Sequence, residues 1–155
     1  MIDQLTQWDI ALFKAIHVNG ANAFFDAVLP IVREARVWLP LYLVFIVIAI
    51  RFYKAKGTLL VGFVLVAVGI ADRFSAGFMK PLFARLRPCH NPELQEVIRE
   101  LIHCGGQYGF ISSHATNHFA LAVLFTWFFQ QHFKQSVFRW VFYLWAALIC
   151  YAQVY

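Results

Sequence analysis

Residues 37–71 read VWLPLYLVFIVIAIRFYKAKGTLLVGFVLVAVGIA, two apolar runs that a short basic segment separates. The runs at 37–52 and 58–71 each supply most of the about 20 residues, at about 1.5 Å rise per residue, that a membrane-spanning helix needs. Two further runs of this kind occupy residues 115–133 and 137–155. The sequence therefore predicts an all-α fold, a membrane bundle of four transmembrane helices.

The composition of the whole chain agrees with a membrane protein. Of its 155 residues, 61% are hydrophobic, and the mean hydropathy is +0.64, more than soluble domains carry. The length allows a single domain, residues 1–155. The net charge of +5 lies in short loops between the apolar runs, where cations set the membrane orientation. No basic stripe with stacking aromatics lies outside these runs, so no nucleic-acid partner is expected.

The N-terminal residues differ from the apolar runs because polar and apolar side chains alternate there. Between residues 3 and 17 this pattern predicts an amphipathic helix at the membrane interface. The stretch lacks the basic start and the small-residue cleavage site of a signal peptide, so we interpret it as mature structure. A connector then leads to Arg36, which makes residues 1–36 an interfacial segment.

A long polar loop, residues 79–111, joins the second and third predicted spans, and residues 93–102 within it are candidates for a short surface helix. The opposite side of the membrane carries cations without an acid: Arg51, Lys54, Lys56, Lys134 and Arg139. The positive-inside tendency makes that side cytoplasmic and the loop extracytoplasmic. The loop side has no fewer cations, but several are interpreted as ligand-binding, and acids dilute its charge: Asp72, Glu93, Glu96 and Glu100.

Two short sequence motifs are predicted to face the same side of the membrane as the loop, the extracytoplasmic side. Lys80 and Arg87 lie seven residues apart, about two helical turns, so a helical segment would bring them to one face before Pro88 ends it. Arginine offers a planar fork to phosphate oxygens, and lysine offers a mobile point charge. Ser112 or Ser113 can cap the third helix, which leaves first-turn amides free to bind an anion.

His114 occupies the first turn of that helix and suits a proton donor to a departing oxygen. Taken singly, each motif residue has an ordinary structural role: an interfacial cation, a helix cap or a hydrogen-bonded histidine. Their joint order around one loop favours a site that holds and protonates a phosphate ester.

Other histidines and cysteines leave alternatives open. His118 lies four residues after His114, a metal-ligand spacing, but no Glu or Cys completes a set, so a packed His118 is favoured and no metal or cofactor is expected. Cys89 and Cys104 flank the loop. They are either two free thiols or, in an extracytoplasmic loop, a disulfide that stabilises by ~3 kcal/mol. Cys150 lies in an apolar run.

The segment KPLFARLRP at residues 80–88 resembles the first motif of the type 2 phosphatidic acid phosphatase superfamily of membrane lipid phosphatases. Ile111-Ser112-Ser113-His114 resembles its second motif, Pro-Ser-Gly-His, with Ile and Ser in place of Pro and Gly. The resemblance covers roughly residues 37–155. It implies that Lys80 and Arg87 bind phosphate, that Ser112 and Ser113 bind it by hydroxyl and amide, and that His114 is the general acid.

The family's third motif is Ser-Arg, five residues, His, three residues, Asp. The spacing aligns its start with Ala152, so that Gln153 replaces the phosphate-binding Arg, for which Arg85 is a candidate substitute. The nucleophilic His, which forms a phosphohistidine, and the Asp that orients it would lie beyond Tyr155. The resemblance thus implies that the family's final helix is missing and that the 155-residue chain itself is inactive.

By this resemblance the complete enzyme hydrolyses a lipid phosphate monoester or diphosphate at the outer face of a bacterial-type inner membrane. Candidate substrates are undecaprenyl diphosphate, phosphatidylglycerophosphate, phosphatidic acid and a lipid A phosphate. The expected partners are the lipid bilayer and this substrate. The alternative is an inactive fragment or a non-catalytic phospholipid-binding membrane protein. A haloperoxidase shares the pocket type, but the membrane spans argue against it.

Overall fold

The computed structural model describes residues 2–99, 101–130 and 137–155. Within these ranges the chain is mainly helical and has no strand, which confirms the all-α class. The α-helices are α1 Ile2–Lys14, α2 Ala23–Val32, α3 Leu39–Arg73, α4 Lys80–Phe83, α5 Ser113–Gln130 and α6 Val137–Val154. Glu100, Lys134 and residues 131–133 of the third apolar run lie outside the described residues, as does the side chain of Arg139.

The N-terminal segment contains two helices. The helix predicted near residues 3–17 is present as α1 and continues as a π-helical turn, Ala15–Asn19. Helix α2 occupies residues for which only a connector was predicted. The side chain of Asn22 caps it by accepting a hydrogen bond from the Phe25 amide at 2.9 Å. The two helices meet at an angle of 115°, which turns the end of α2 back toward the rest of the bundle.

Helix α3 is a close pair of helical arms. Its backbone breaks at Lys54, where φ is 50° and ψ is −123°. A Cβ added to Gly57 would lie 1.8 Å from the carbonyl oxygen of Ala49, so the arms pack with no room for a side chain at this position. The break separates the two apolar runs, residues 37–52 and 58–71, because the basic segment between them forms the turn.

Helices α5 and α6 pack side by side against these arms. Their buried core consists of Leu121, Ala122, Phe125, Phe142 and Ala146. From the arms of α3, partly buried side chains close the core: Tyr42, Phe45, Val64 and Val68. Many large apolar side chains point outward from the helices instead, and an apolar surface of this extent marks contact with a membrane or a partner.

One helical stretch among the described residues, Ala35–Phe83, is long and apolar enough to cross a membrane. A second exists if the bent pair Gln4–Asn19 and Ala23–Val32 is counted as one span. The apolar part of α6, Trp140–Val154, is shorter than such a span. The number of four transmembrane helices therefore stays a prediction.

Candidate active site

All five residues singled out in the sequence line one cavity of about 480 Å³. These residues are Lys80, Arg87, Ser112, Ser113 and His114. We call this space the motif cavity. The ends of α2 and α6 form its other walls, through residues such as Arg33 and Gln153. The fold thus brings together two motifs that lie on opposite sides of a long loop.

Arg87 is positioned by backbone pairing rather than by a helix. The helical segment predicted from Lys80 to Arg87 is wrong, because α4 ends at Phe83 and Ala84 adopts the left-handed conformation, with φ 45°. Leu86 then pairs antiparallel with Tyr108. The Arg87 amide donates to the Gln107 carbonyl at 2.9 Å. The two ends of the loop therefore hold each other, and Arg87 enters the cavity from an extended segment next to this single bridge.

The loop closes further at the Cys89–Cys104 disulfide, which settles the choice between the two cysteine alternatives. Their Cα atoms lie 6.4 Å apart. The short helix predicted at residues 93–102 is wrong, because the described residues of this part, 93–99 and 101–102, contain the end of a 3-10 turn, Pro92–Leu94, followed by irregular turns. A prolyl turn and a disulfide thus replace helical hydrogen bonds as the support of the loop.

The Arg87 side chain lies against glycine backbone. A Cβ added to Gly105 would lie 2.6 Å from Arg87 Nη1, and one added to Gly109 would lie 3.0 Å from its Cγ. The Nε group donates to the Tyr108 carbonyl at 3.3 Å. No other hydrogen bond and no ion pair of this guanidinium involves a residue that the structure describes. Its terminal nitrogens are thus available to an anion.

The second motif forms the N-terminus of α5. The Ser112 hydroxyl accepts from the Ala115 amide at 3.4 Å, as a helix cap does. The buried Ser75 belongs to a π-helical segment, Phe74–Met79, that follows α3. Its hydroxyl donates to the Ser113 hydroxyl at 2.9 Å, which fixes the Ser113 side chain between this segment and α5. The other first-turn amides have no intrahelical partner. They and the helix dipole make this end of the cavity attractive to negative charge.

His114 faces the motif cavity at the start of α5. Desolvation by the cavity walls lowers the pKa of His114, and the positive charge of Arg33 lowers this pKa further. The imidazole is therefore mainly neutral at pH 7 in the empty cavity. A bound phosphate would raise this pKa, because a neighbouring anion stabilises the imidazolium. The group is suited to take up a proton with its ligand and to donate it to a leaving oxygen.

His118 has a structural role. The ring contacts the Tyr42 hydroxyl through Nε2 at 2.7 Å and the His114 carbonyl through Nδ1 at 2.6 Å. It is 4% exposed and meets the edge of Trp145. Both ring nitrogens are engaged, so this arrangement leaves His118 no free nitrogen for a metal or for attack on phosphorus.

Arg85, the candidate substitute for the third-motif arginine, lines the motif cavity and is paired with a carboxylate. Its Nε donates to Asp9 Oδ2 at 2.9 Å, and a second nitrogen contacts the same oxygen. The carboxylate of α1 thus neutralises this guanidinium at the edge of the motif cavity.

Arg33 is the functional candidate that sequence reasoning missed. Its Nη2 donates to Gln153 Oε1 at 3.3 Å, and Gln153 Nε2 donates to the Arg33 carbonyl at 3.4 Å. Burial and the neighbouring charge of Arg87 lower the pKa of Arg33. No carboxylate within the described ranges forms an ion pair with it. The available signal was an arginine placed directly after the apolar end of α2.

A second group of polar contacts closes the cavity beside Arg33. Arg99 donates from Nη1 to Asp26 at 2.6 Å and from its amide to His17 Nε2 at 2.9 Å. The Tyr155 hydroxyl donates to Asp26 at 2.5 Å, and the Tyr155 carbonyl contacts His17 Nδ1. The loop, the N-terminal segment and the end of α6 are therefore tied together at one wall of the cavity.

Comparison with known proteins gives two kinds of match. The family model of the PAP2 superfamily matches residues 57–155. A lipid A 4'-phosphatase of Porphyromonas gingivalis is 39% identical over 108 residues, 67% of this chain and 44% of that relative. A lipid A 4'-phosphatase of Bacteroides thetaiotaomicron is 30% identical over 162 residues, 100% of this chain and 68% of the relative. The first match thus spans less than half the length of its relative. No solved structure matches the chain.

Proposed function

The chain belongs to the PAP2 superfamily, and from this premise we propose that it forms the site of a lipid phosphatase. The main observation in support of this proposal is the motif cavity, which is lined by Lys80, Arg87, Ser112, Ser113 and His114. These groups supply two cations, a helix N-terminus and a titratable imidazole. A phosphate ester needs this combination for charge neutralisation and for protonation of its leaving oxygen.

In the proposed reaction, Lys80 and Arg87 bind the phosphoryl oxygens, and the Ser112 hydroxyl and the first-turn amides of α5 donate to them. The bond between phosphorus and the lipid oxygen breaks, and His114 gives its proton to that oxygen. The phosphoryl group passes to a histidine nucleophile, as the family resemblance implies. Water then cleaves the phosphohistidine, so that the products are a lipid alcohol and inorganic phosphate.

The nucleophile is proposed to lie beyond Tyr155. Gln153 and Tyr155 both line the motif cavity, so a chain that continues past them starts at the cavity wall. Among the described histidines, His17 and His118 have both ring nitrogens engaged.

The proposed substrate is a lipid with a phosphate monoester on its headgroup, and the 4'-phosphate of lipid A is the first candidate because both relatives carry that name. A second cavity of about 520 Å³ supports a lipid. It shares Ser113 and His114 with the motif cavity, and Tyr42, Asp72, Asn117 and His118 also line it. Most of its other lining side chains are apolar and come from α3 and α5: Phe45, Ile46, Leu60, Val64, Val68, Leu121 and Phe125. An acyl chain placed there would leave its phosphate beside His114.

We further propose that the protein is a multi-pass protein of a bacterial inner membrane and that residues 79–111 lie on its outer side. The disulfide between Cys89 and Cys104 supports this side, because such bonds persist in oxidising compartments. Both relatives come from bacteria, which agrees with the proposal of a bacterial membrane protein.

The test is phosphate release from lipid A that carries a 4'-phosphate. The 155-residue chain and a chain extended past Tyr155 to a His and an Asp are compared in lipid nanodiscs. We expect release only by the extended chain, and a loss of about 10²- to 10⁴-fold in the His114→Ala variant, the usual worth of general acid catalysis. Arg87→Ala should lose activity too, whereas its matched control Arg36→Ala, at an exposed position outside the cavity, should not.

Three results would change the proposal. Full activity of His114→Ala removes that residue from the mechanism. Release from phosphatidic acid but not from lipid A keeps the phosphatase and replaces its substrate. Release by neither chain, with binding of orthovanadate retained, replaces the enzyme by a non-catalytic phospholipid-binding protein.

A further inference from the structure

By the family resemblance, the third motif begins at Ala152 and lacks a charge where the family has a phosphate-binding arginine. Gln153 stands there, and an amide is a neutral donor. Among the described residues, a different element brings a guanidinium to this amide. Arg33, which follows α2, donates to Gln153 Oε1 at 3.3 Å and also lines the motif cavity.

We propose that Arg33 is a substrate-binding residue that supplies the phosphate-binding guanidinium which Gln153 cannot. The inference rests on the proposed phosphatase function and deepens it, because it assigns part of the site to the N-terminal segment. Gln153 becomes a positioning residue: its Oε1 accepts from the Arg33 side chain while its Nε2 donates to the Arg33 carbonyl at 3.4 Å. The pair of contacts holds the arginine at both ends.

The charges around Arg33 point to an anion. Arg87 and Lys80 line the same cavity, and their positive charges, like that of Arg33, act on His114. Three cations in one cavity repel each other, and burial raises the cost of each. A phosphate dianion bound among them removes this repulsion and lets arginine use its fork of donors.

Two other arginines of the cavity, Arg85 and Arg99, are already neutralised by carboxylates. Arg85 is bonded to Asp9, and Arg99 is bonded to Asp26. Arg33 has no such partner in the part of the chain that the structure describes. A purely structural Arg33, held only by an amide, would gain little from a half-buried position. The neighbouring Glu34 carboxylate acts on Arg33 only through space, and an anion-binding role accounts for a charge left without an ion pair among the described residues.

The experiment measures binding of orthovanadate, a phosphate mimic, to the 155-residue chain in nanodiscs by isothermal titration calorimetry. Four variants are compared with the unaltered chain: Arg33→Gln, Arg36→Gln, Arg87→Gln and the exchange variant Arg33→Gln with Gln153→Arg. Arg36 is the matched control, since its side chain is exposed and is paired with Glu34 at 3.9 Å. We expect Arg33→Gln to weaken binding about 10- to 100-fold and Arg36→Gln to change it less than about twofold.

The exchange variant separates charge from structure. Because the two side chains touch, an arginine at position 153 can deliver its guanidinium to the same point, and we expect affinity to return to within about threefold of the starting value. No recovery in an exchange variant that melts like the unaltered chain overturns the proposed equivalence. If Arg33→Gln does not fold, Gln153→Ala takes its place, because it removes both contacts that hold Arg33. It should weaken vanadate binding, and unchanged affinity overturns the inference.

Arg87→Gln distinguishes this inference from the function on which it rests. If neither Arg87→Gln nor Arg33→Gln weakens vanadate binding, the phosphate site itself is wrong. If Arg87→Gln weakens binding and Arg33→Gln behaves like Arg36→Gln, the site stands and the role of Arg33 is refuted.

Discussion

The contact between Gly105 and Arg87 allows a sharp test of how the loop positions the guanidinium. In Gly105→Ala, the new Cβ would lie 2.6 Å from Arg87 Nη1, about 0.8 Å closer than the 3.4 Å at which ordinary van der Waals contact begins. The backbone does not oppose the change, since no described glycine has a positive φ. The end of a long side chain moves easily, so we expect the guanidinium to shift while the fold remains.

A shift of this size takes a charge-assisted hydrogen bond away from its optimum of about 2.7–2.9 Å. Such bonds contribute about 1.5–3 kcal/mol, and each 1.4 kcal/mol corresponds to about a tenfold change in affinity. We therefore expect Gly105→Ala to weaken orthovanadate binding by about 10- to 100-fold, measured by calorimetry in nanodiscs. The melting temperature should change little.

Gly106→Ala is the matched control, because a Cβ at this neighbouring position meets nothing within 4 Å. It should bind vanadate like the unaltered chain. Equal affinity of the two alanine variants and the unaltered chain would refute the reasoning that Gly105 is required by the close approach of Arg87. A loss of melting temperature confined to Gly105→Ala would show that the contact supports the loop instead of the anion.

Two further predictions concern the pair of helical arms of α3 and the proposed general acid, His114. Gly57→Ala should destabilise the fold by about 3 kcal/mol or more, because its Cβ meets the backbone of Ala49. Gly62→Ala is the control and should not destabilise the fold, because a Cβ at that position meets nothing within 4 Å. Unfolding in detergent measures the stability of both variants. Burial and the charge of Arg33 lower the pKa of His114, and a bound anion raises this pKa. Vanadate should therefore bind more tightly as the pH falls from the pKa of the occupied site toward the lower pKa of the free site. Binding should take up protons, and His114→Asn should abolish that uptake in calorimetry with buffers of different ionisation enthalpy.

The motif residues could be predicted because their chemistry and order are local properties of the sequence. Lys80, Arg87, Ser112 and His114 carry recognisable groups at fixed spacings, and a fold that turns the chain once across the loop brings them together. The helical route from Lys80 to Arg87 was wrong because the pairing of Leu86 with Tyr108, a tertiary contact, overrides the local spacing.

The proposed role of Arg33 could not be predicted for the same reason. Its partner Gln153 lies 120 residues away, and no pattern within α2 reports that distance. The disulfide stayed undecided because a spacing of 15 residues does not say whether the two Cα atoms approach to bonding range. The backbone pairing between the two ends of the loop places the two Cα atoms 6.4 Å apart, within the usual range for a disulfide.

The disulfide between Cys89 and Cys104 also adds a late step to the biogenesis of the site. Thiols stay reduced in the cytosol and become oxidised after export, so on the proposed topology a newly inserted chain has an open loop. Arg87 is then held by backbone pairing alone. On that topology the loop is closed by a redox reaction after export, and the proposed phosphate site would acquire its full affinity only after the loop has left the reducing side of the membrane.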